Sequence, residues 1–292
     1  MTHAFDRRRF LEAGLAGAAL AGCTPLLRAA DDKPPKLRKA VKFGMIRGNA
    51  PIQEKFELIK KIGFEGVEFD SPSNINREEA VKARDATGIV IHGVVDSIHW
   101  KYTLSSPDEA VRAKGLAGLN TALDDAKFYG ADTVLLVPGV VKDGVTYEQC
   151  YERSQAEVKK VLPKAKELGI KIGIEVVWNN FITKPEQLVQ YVDDFNDPII
   201  GAYFDTSNML KYGVKPGDWI RKLGKRMIKF DLKGYSNTKQ WVAIGEGDED
   251  WPDVLKALNE VGYTGWATAE VSGGGEKELT DVYDRMTKVL AQ

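Results

Sequence analysis

Four acidic residues fall where carboxylates rarely lie without a cation or donor to meet them. The run Lys171-Ile172-Gly173-Ile174-Glu175-Val176-Val177-Trp178 is apolar and β-branched, the pattern of a buried strand, and it carries Glu175 toward its C-terminal side. Three later stretches, 199–205, 227–231 and 265–270, end in Asp205, Asp231 and Glu270. Four consecutive strands ending in carboxylates describe one metal site at one end of a parallel barrel. Oxygen ligands alone favour Mg²⁺ or Mn²⁺, or Ca²⁺, over zinc. The chain holds only His3, His92 and His99, which excludes a histidine-rich centre.

The elements that must position these groups follow from the hydrophobic period. From Val41 onward, strand-like and helix-like segments alternate eight times. Expected strands are 41–47, 66–70, 89–95, 132–137, 171–178, 199–205, 227–232 and 265–271. Expected helices are 51–62, 77–87, 107–129, 147–168, 185–195, 216–223, 251–261 and 276–291, several followed by glycine. Eight such units in roughly 250 residues make an α/β fold of the (β/α)₈ TIM-barrel type. The alternative, an open doubly wound sheet, lacks its usual Gly-x-Gly-x-x-Gly after the first strand. The 292 residues are 43% hydrophobic, ample for one core, and the net charge of −1 with no basic block argues against nucleic acid as a partner.

The first thirty residues read as an export signal. Asp6-Arg7-Arg8-Arg9-Phe10-Leu11 resembles a twin-arginine motif, and the apolar run 11–22 is too short to span a bilayer. Leu20-Ala21-Gly22-Cys23 resembles a lipobox, so the expected location is exported, either periplasmic or membrane-anchored through a lipid on Cys23, with cleavage near Ala29-Ala30 as the alternative. Residues 31–40 read as a linker and 41–292 as the barrel. Cys150 is then the only cysteine in the body, so no intramolecular disulfide is possible there.

The segments Ile174-Glu175, Phe204-Asp205-Thr206, Gly245-Glu246-Gly247-Asp248-x-Asp250-Trp251 and Gly262-Tyr263-x-Gly265-Trp266-x-Thr268-x-Glu270 resemble the xylose-isomerase-like TIM-barrel superfamily. That group includes sugar phosphate isomerases and epimerases, ketose 3-epimerases and hydroxypyruvate isomerases. The resemblance implies a divalent metal, most readily Mn²⁺ or Mg²⁺, held by Glu175, Asp205, Asp231 and Glu270, with Glu175 and Glu270 as the catalytic pair. It implies a sugar or keto-sugar substrate contacted by His99, Trp178, Asn208, Lys233 and Glu246, and the homo-oligomers common in the family. Three positions depart from the family pattern: its metal-binding histidine falls on Asp231, the aspartate of the same motif falls on Gly234, and a second histidine falls on Asn208. Four carboxylates exceed one divalent ion by two charges, to be offset by a protonated carboxyl, Lys233, Lys229 or the substrate carbonyl. Arg47 and Glu68 are further candidate substrate contacts, Trp100 and Trp241 are candidate stacking platforms, and His92 is expected to be a core residue.

The implied chemistry is proton transfer next to a carbonyl through an enediolate, giving a metal-dependent sugar isomerase or epimerase. An exported 3-keto-glycoside lyase would use the same enediolate. A non-catalytic sugar-binding lipoprotein is the reading that the change from histidine to Asp231 permits. A relative of the barrel nucleases would need several more histidines.

Overall fold

The computed structural model describes residues 35–292. The twin-arginine motif, the apolar run, Cys23 and the first residues of the linker lie outside the described residues. The order of elements is β1 (Arg38–Lys42), α1 (Ile52–Ile62), β2 (Gly66–Ser71), α2 (Arg77–Thr87), β3 (Val90–Asp96), α3 (Glu109–Tyr129), β4 (Thr133–Leu136), α4 (Tyr147–Leu168), β5 (Lys171–Glu175), α5 (Pro185–Asp193), β6 (Ile200–Asp205), α6 (Pro216–Leu223), β7 (Met227–Leu232), a hairpin of β8 (Tyr235–Ser236) and β9 (Gln240–Trp241), then α7 (Trp251–Val261), β10 (Trp266–Ala269) and α8 (Glu276–Val289). Eight strands close into a barrel in the order β1-β10-β7-β6-β5-β4-β3-β2, every pair parallel. This is the (β/α)₈ barrel expected from the alternation.

Local chemistry places the helices. Asn76 and Thr146 accept hydrogen bonds from backbone N–H groups of the first turns of α2 and α4, and Gln149 completes a capping box with Thr146. Gly63, Gly88, Gly130, Gly169 and Gly262 follow five helices in the left-handed conformation that ends them. Pro163 lies inside α4, which stays continuous as a helix.

The first strand differs from expectation at both ends. It begins at Arg38, inside the stretch read as linker, and stops at Lys42, after which residues 43–45 form a short 3₁₀ turn. Met45 and Ile46 are apolar because they are buried in the core, which an extended run imitates in sequence. The early stop leaves Lys42 at the end of the strand.

Strand β7 shows how the barrel separates its two faces. Side chains alternate along a strand. Phe230 and Leu232 are fully buried in the hydrophobic core, while Lys229, Asp231 and, just past the strand, Lys233 carry the opposite parity. Asp205 of β6 is the register partner of Asp231, and Lys42 is that of Glu68. The registers thus gather the charged groups into adjoining rows.

Near the other end of the barrel, His92 stacks on Trp266 with ring centroids 4.6 Å apart, and its Nε2 lies 3.2 Å from the Thr268 hydroxyl. Arg38 covers the same indole at 3.8 Å. His92 is thus a core residue, as expected. Among the described residues no helix is long and apolar enough to cross a membrane.

Gly66 has no room for a side chain, since a Cβ there would meet the Trp266 ring at 2.4 Å. The ring is held by His92 and Arg38 and cannot step aside. Gly66→Val is expected to destabilise the protein by about 1–3 kcal/mol through overpacking, read as a lower urea midpoint with an unchanged slope.

Candidate active site

The four acids named from the sequence converge. One carboxylate oxygen from each of Glu175, Asp205, Asp231 and Glu270 lies within 4.8 Å of the others. Glu175 and Asp205 end their strands, Asp231 is the penultimate residue of β7, and Glu270 immediately follows β10. Glu175, Asp205 and Asp231 are buried. The Glu270 side chain is 39% exposed, so it alone of the four opens substantially to the mouth of the barrel.

Two ammonium groups meet this cluster. Lys233 Nζ lies 3.3 Å from Asp205 Oδ2 and 3.2 Å from Glu270 Oε2. Lys42 Nζ lies 3.1 Å from Asp231 Oδ2 and 3.8 Å from Glu270 Oε2, and also pairs with Glu68. Tyr203 donates to the other Glu68 oxygen at 2.8 Å. The expected offset by Lys229 is not found. Its ammonium turns toward the opposite end, pairing with Asp132 at 2.7 Å and donating to the His92 carbonyl at 3.0 Å. Two residues along a strand carry a side chain to another layer of the interior, and Lys229 lies one such step from Asp231.

The charges set unequal proton affinities. Burial alone would favour neutral amines, yet Asp231, Glu68 and Glu270 hold Lys42 charged, and Asp205 and Glu270 do the same for Lys233. Burial and the nearby Glu270 push Glu175 up to about 8. Burial acts upward on Glu270 too, but Lys42 and Lys233 outweigh it and hold that carboxyl at about 2. Burial also raises Asp231 and Asp205. With no ion bound, Glu175 and Asp231 are thus biased toward the protonated form and Glu270 toward the ionised form.

The remaining contacts orient the acids. Backbone N–H groups of Ser207 and Asn208 each donate to Asp205 Oδ1 at 2.8 Å. Asn208 Nδ2 donates to Glu175 Oε1 at 3.3 Å and to the Val176 carbonyl at 3.2 Å. Trp178 donates to the Asn208 carbonyl at 2.8 Å and stacks on Trp241 with centroids 5.0 Å apart. His99 is buried; its Nδ1 accepts from the Val137 N–H at 3.4 Å, and burial with the nearby Lys42 lowers its pKa to about 4. A cavity of about 600 Å³ opens above the cluster, and His99, Trp178, Asn208, Lys233, Arg47 and Trp100 all contribute to its wall.

Glu246 does not join them. It accepts from Arg285 at 2.7 Å on the outside of the mouth. A different acid of the same segment, three residues on, braces the loops around the mouth. Glu249 is buried, and its Oε1 accepts from the Ser207 hydroxyl and the Tyr235 N–H, both at 2.7 Å, tying the loop after β6 to the hairpin. Lys42 was also missed, because the strand expected over 41–47 placed it near the start, whereas β1 ends there.

The donor set fits a hard divalent cation. Both oxygens of Asp231 and Asp205 Oδ2 are buried without a hydrogen-bond partner, although lysines stand nearby. Glu175, Asp205, Asp231 and Glu270 would hold such an ion through oxygen alone.

The model of the xylose isomerase-like TIM barrel family matches residues 56–290. The chain belongs to that family. Its relatives include the 2-oxo-tetronate isomerase of Haemophilus influenzae, 25% identical over 251 residues that cover 81% of this chain and 94% of that protein. In structure it resembles the 3-keto-D-glucoside 4-epimerase of E. coli, with TM-score 0.75, 16% identity and coverage of 87% and 99% of the two chains. The IOLI protein, described with a bound zinc atom, is equally similar, with TM-score 0.75, 16% identity and coverage of 87% and 98%.

Lys42→Met leaves Glu68, Asp231 and Glu270 without their shared cation and is expected to cost about 3–5 kcal/mol at pH 7. The folded-state pKa of Glu270 is depressed, so the stability it brings is present above the unfolded carboxylate range and is lost as pH falls toward 2. The deficit of the variant should therefore be full at pH 7 and shrink in acid, measured by denaturant titration across pH.

Proposed function

We propose that this protein is a divalent-metal-dependent sugar isomerase or epimerase that moves a proton α to a carbonyl. The observation that carries the reading is the convergence of Glu175, Asp205, Asp231 and Glu270, one carboxylate oxygen from each within 4.8 Å of the others. A cation bound by that set would polarise the substrate's carbonyl and ease loss of the neighbouring proton.

The chain's own groups supply the rest. Ionised Glu270, open to the mouth, is placed to take the α-proton from a bound keto-sugar. Glu175, oriented by Asn208, is placed to return one. Return to the opposite face of the same carbon gives an epimer, and return to the neighbouring carbon interconverts ketose and aldose. Lys42 and Lys233 keep the cluster from expelling an anionic intermediate. His99, held neutral by burial, is suited to hydrogen bonding with hydroxyls. The exposed Trp100 and Trp241 offer flat apolar faces to a sugar ring. The isomerase activity of the Haemophilus influenzae relative supports the same class. The twin-arginine pattern supports export, and an exported enzyme meets free or oxidised sugars more readily than phosphorylated ones.

The test is exchange of the α-proton of keto-sugars in deuterated water, together with elemental analysis of the purified protein. Glu175→Gln and Glu270→Gln are each expected to lower exchange by a factor of about 10² or more. Chelation should abolish exchange, and Mn²⁺ or Mg²⁺ should restore it. A protein that carries no metal and binds sugar without exchange would overturn the proposal in favour of a binding protein.

A further inference from the structure

A second cavity, about 790 Å³, adjoins the mouth and shares Lys233, Trp241, Glu270 and Val271 with it. Its lining combines apolar residues, Val242, Ala243 and Ile244 after β9, Val271 after β10 and Val282 of α8, with the polar Ser272, Lys277 and Glu278. The charges of Asp281 and Arg285 at its edge are paired with each other at 2.7 Å.

We propose that this side cavity seats a flat apolar aglycone attached to the sugar whose reacting carbon lies over the carboxylates. The assignment rests on the reading of the mouth as a sugar site and names the substrate class as a glycoside rather than a free ketose. Three observations carry it. The mouth alone, at about 600 Å³, already falls in the range of about 300–1,000 Å³ that holds a small molecule. A monosaccharide in the mouth leaves the adjoining volume unused, and the apolar part of that lining gives sugar hydroxyls no partner. Trp241, 48% exposed, belongs to the walls of both cavities. Trp178 stacks beneath it at an interplanar angle of 19° and Tyr235 meets it edge-on with centroids 5.4 Å apart, so the indole is fixed before a ligand arrives. A rigid aromatic face between a polar mouth and an apolar side chamber suits a sugar on one side and a ring-bearing aglycone on the other.

The experiment compares binding of 4-nitrophenyl and methyl β-D-glucopyranoside to the full-length protein in Mn²⁺ by calorimetry. These glycosides have no carbonyl and bind without turnover. The aryl glycoside is expected to bind at least tenfold more tightly. Ala243→Trp, which fills the side cavity, should remove that preference and change the methyl glycoside's Kd by less than twofold. Val282→Phe, filling it from α8, should act in the same direction, so the result does not hang on one variant's folding. Equal affinities in the wild type, or a preference that survives both substitutions, overturn the assignment. Proton exchange on a free ketose separates the two readings. Exchange without aryl preference overturns the aglycone site alone, and aryl preference without exchange overturns the isomerase reading alone.

Discussion

The interior of this barrel depends on two lysines placed among five carboxylates. Lys42 and Lys233 reach the cluster from β1 and from the end of β7, elements separated in the ring only by β10. Without them, Glu68, Glu175, Asp205, Asp231 and Glu270 would be acids in a poorly solvated space, and mutual repulsion with desolvation would drive most of them to the protonated form. With them, the cluster keeps ionised groups and can receive a further cation.

The same geometry divides the labour between chemically similar residues. Burial pushes both Glu175 and Glu270 upward, but Glu270 has both lysines within 4 Å. Distance to the ammonium groups decides the difference, as Coulomb interactions fall with separation and are strong where water is scarce. The more exposed carboxyl is thus biased toward the ionised form and the enclosed one toward the protonated form.

Most of the fold was legible because each β-α unit carries its own punctuation. The bounds of α2, α4, α6 and α7 follow directly from caps, prolines and terminal glycines. The four acids were legible because a charge closing an apolar run is costly unless it is used. What stayed hidden depends on direction across space. Lys229 and Lys233 have the same parity on one strand and equal spacing from Asp231, yet one faces Asp132 and the other the mouth. Sequence spacing does not tell which layer a long flexible side chain joins. Glu246 and Glu249 share a polar tail in which only the turn geometry selects the buried member. The β8–β9 hairpin is too short to leave a periodic signal, although it delivers Trp241 and closes the side cavity.

Lys42 also accounts for the departure at Asp231. The resemblance places a neutral imidazole at that position, and exchanging it for a carboxylate adds one negative charge to a buried site. An ammonium at the end of β1, 3.1 Å from Asp231, returns the balance to that of the histidine-bearing arrangement. In this barrel the carboxylate at position 231 and the ammonium of Lys42 are paired in charge. On this view Asp231 and Lys42 form a unit. Restoring histidine at position 231 alone would leave Lys42 as an excess buried charge beside a ring that competes for its space, and only the paired change of both residues would return a neutral ligand without that conflict.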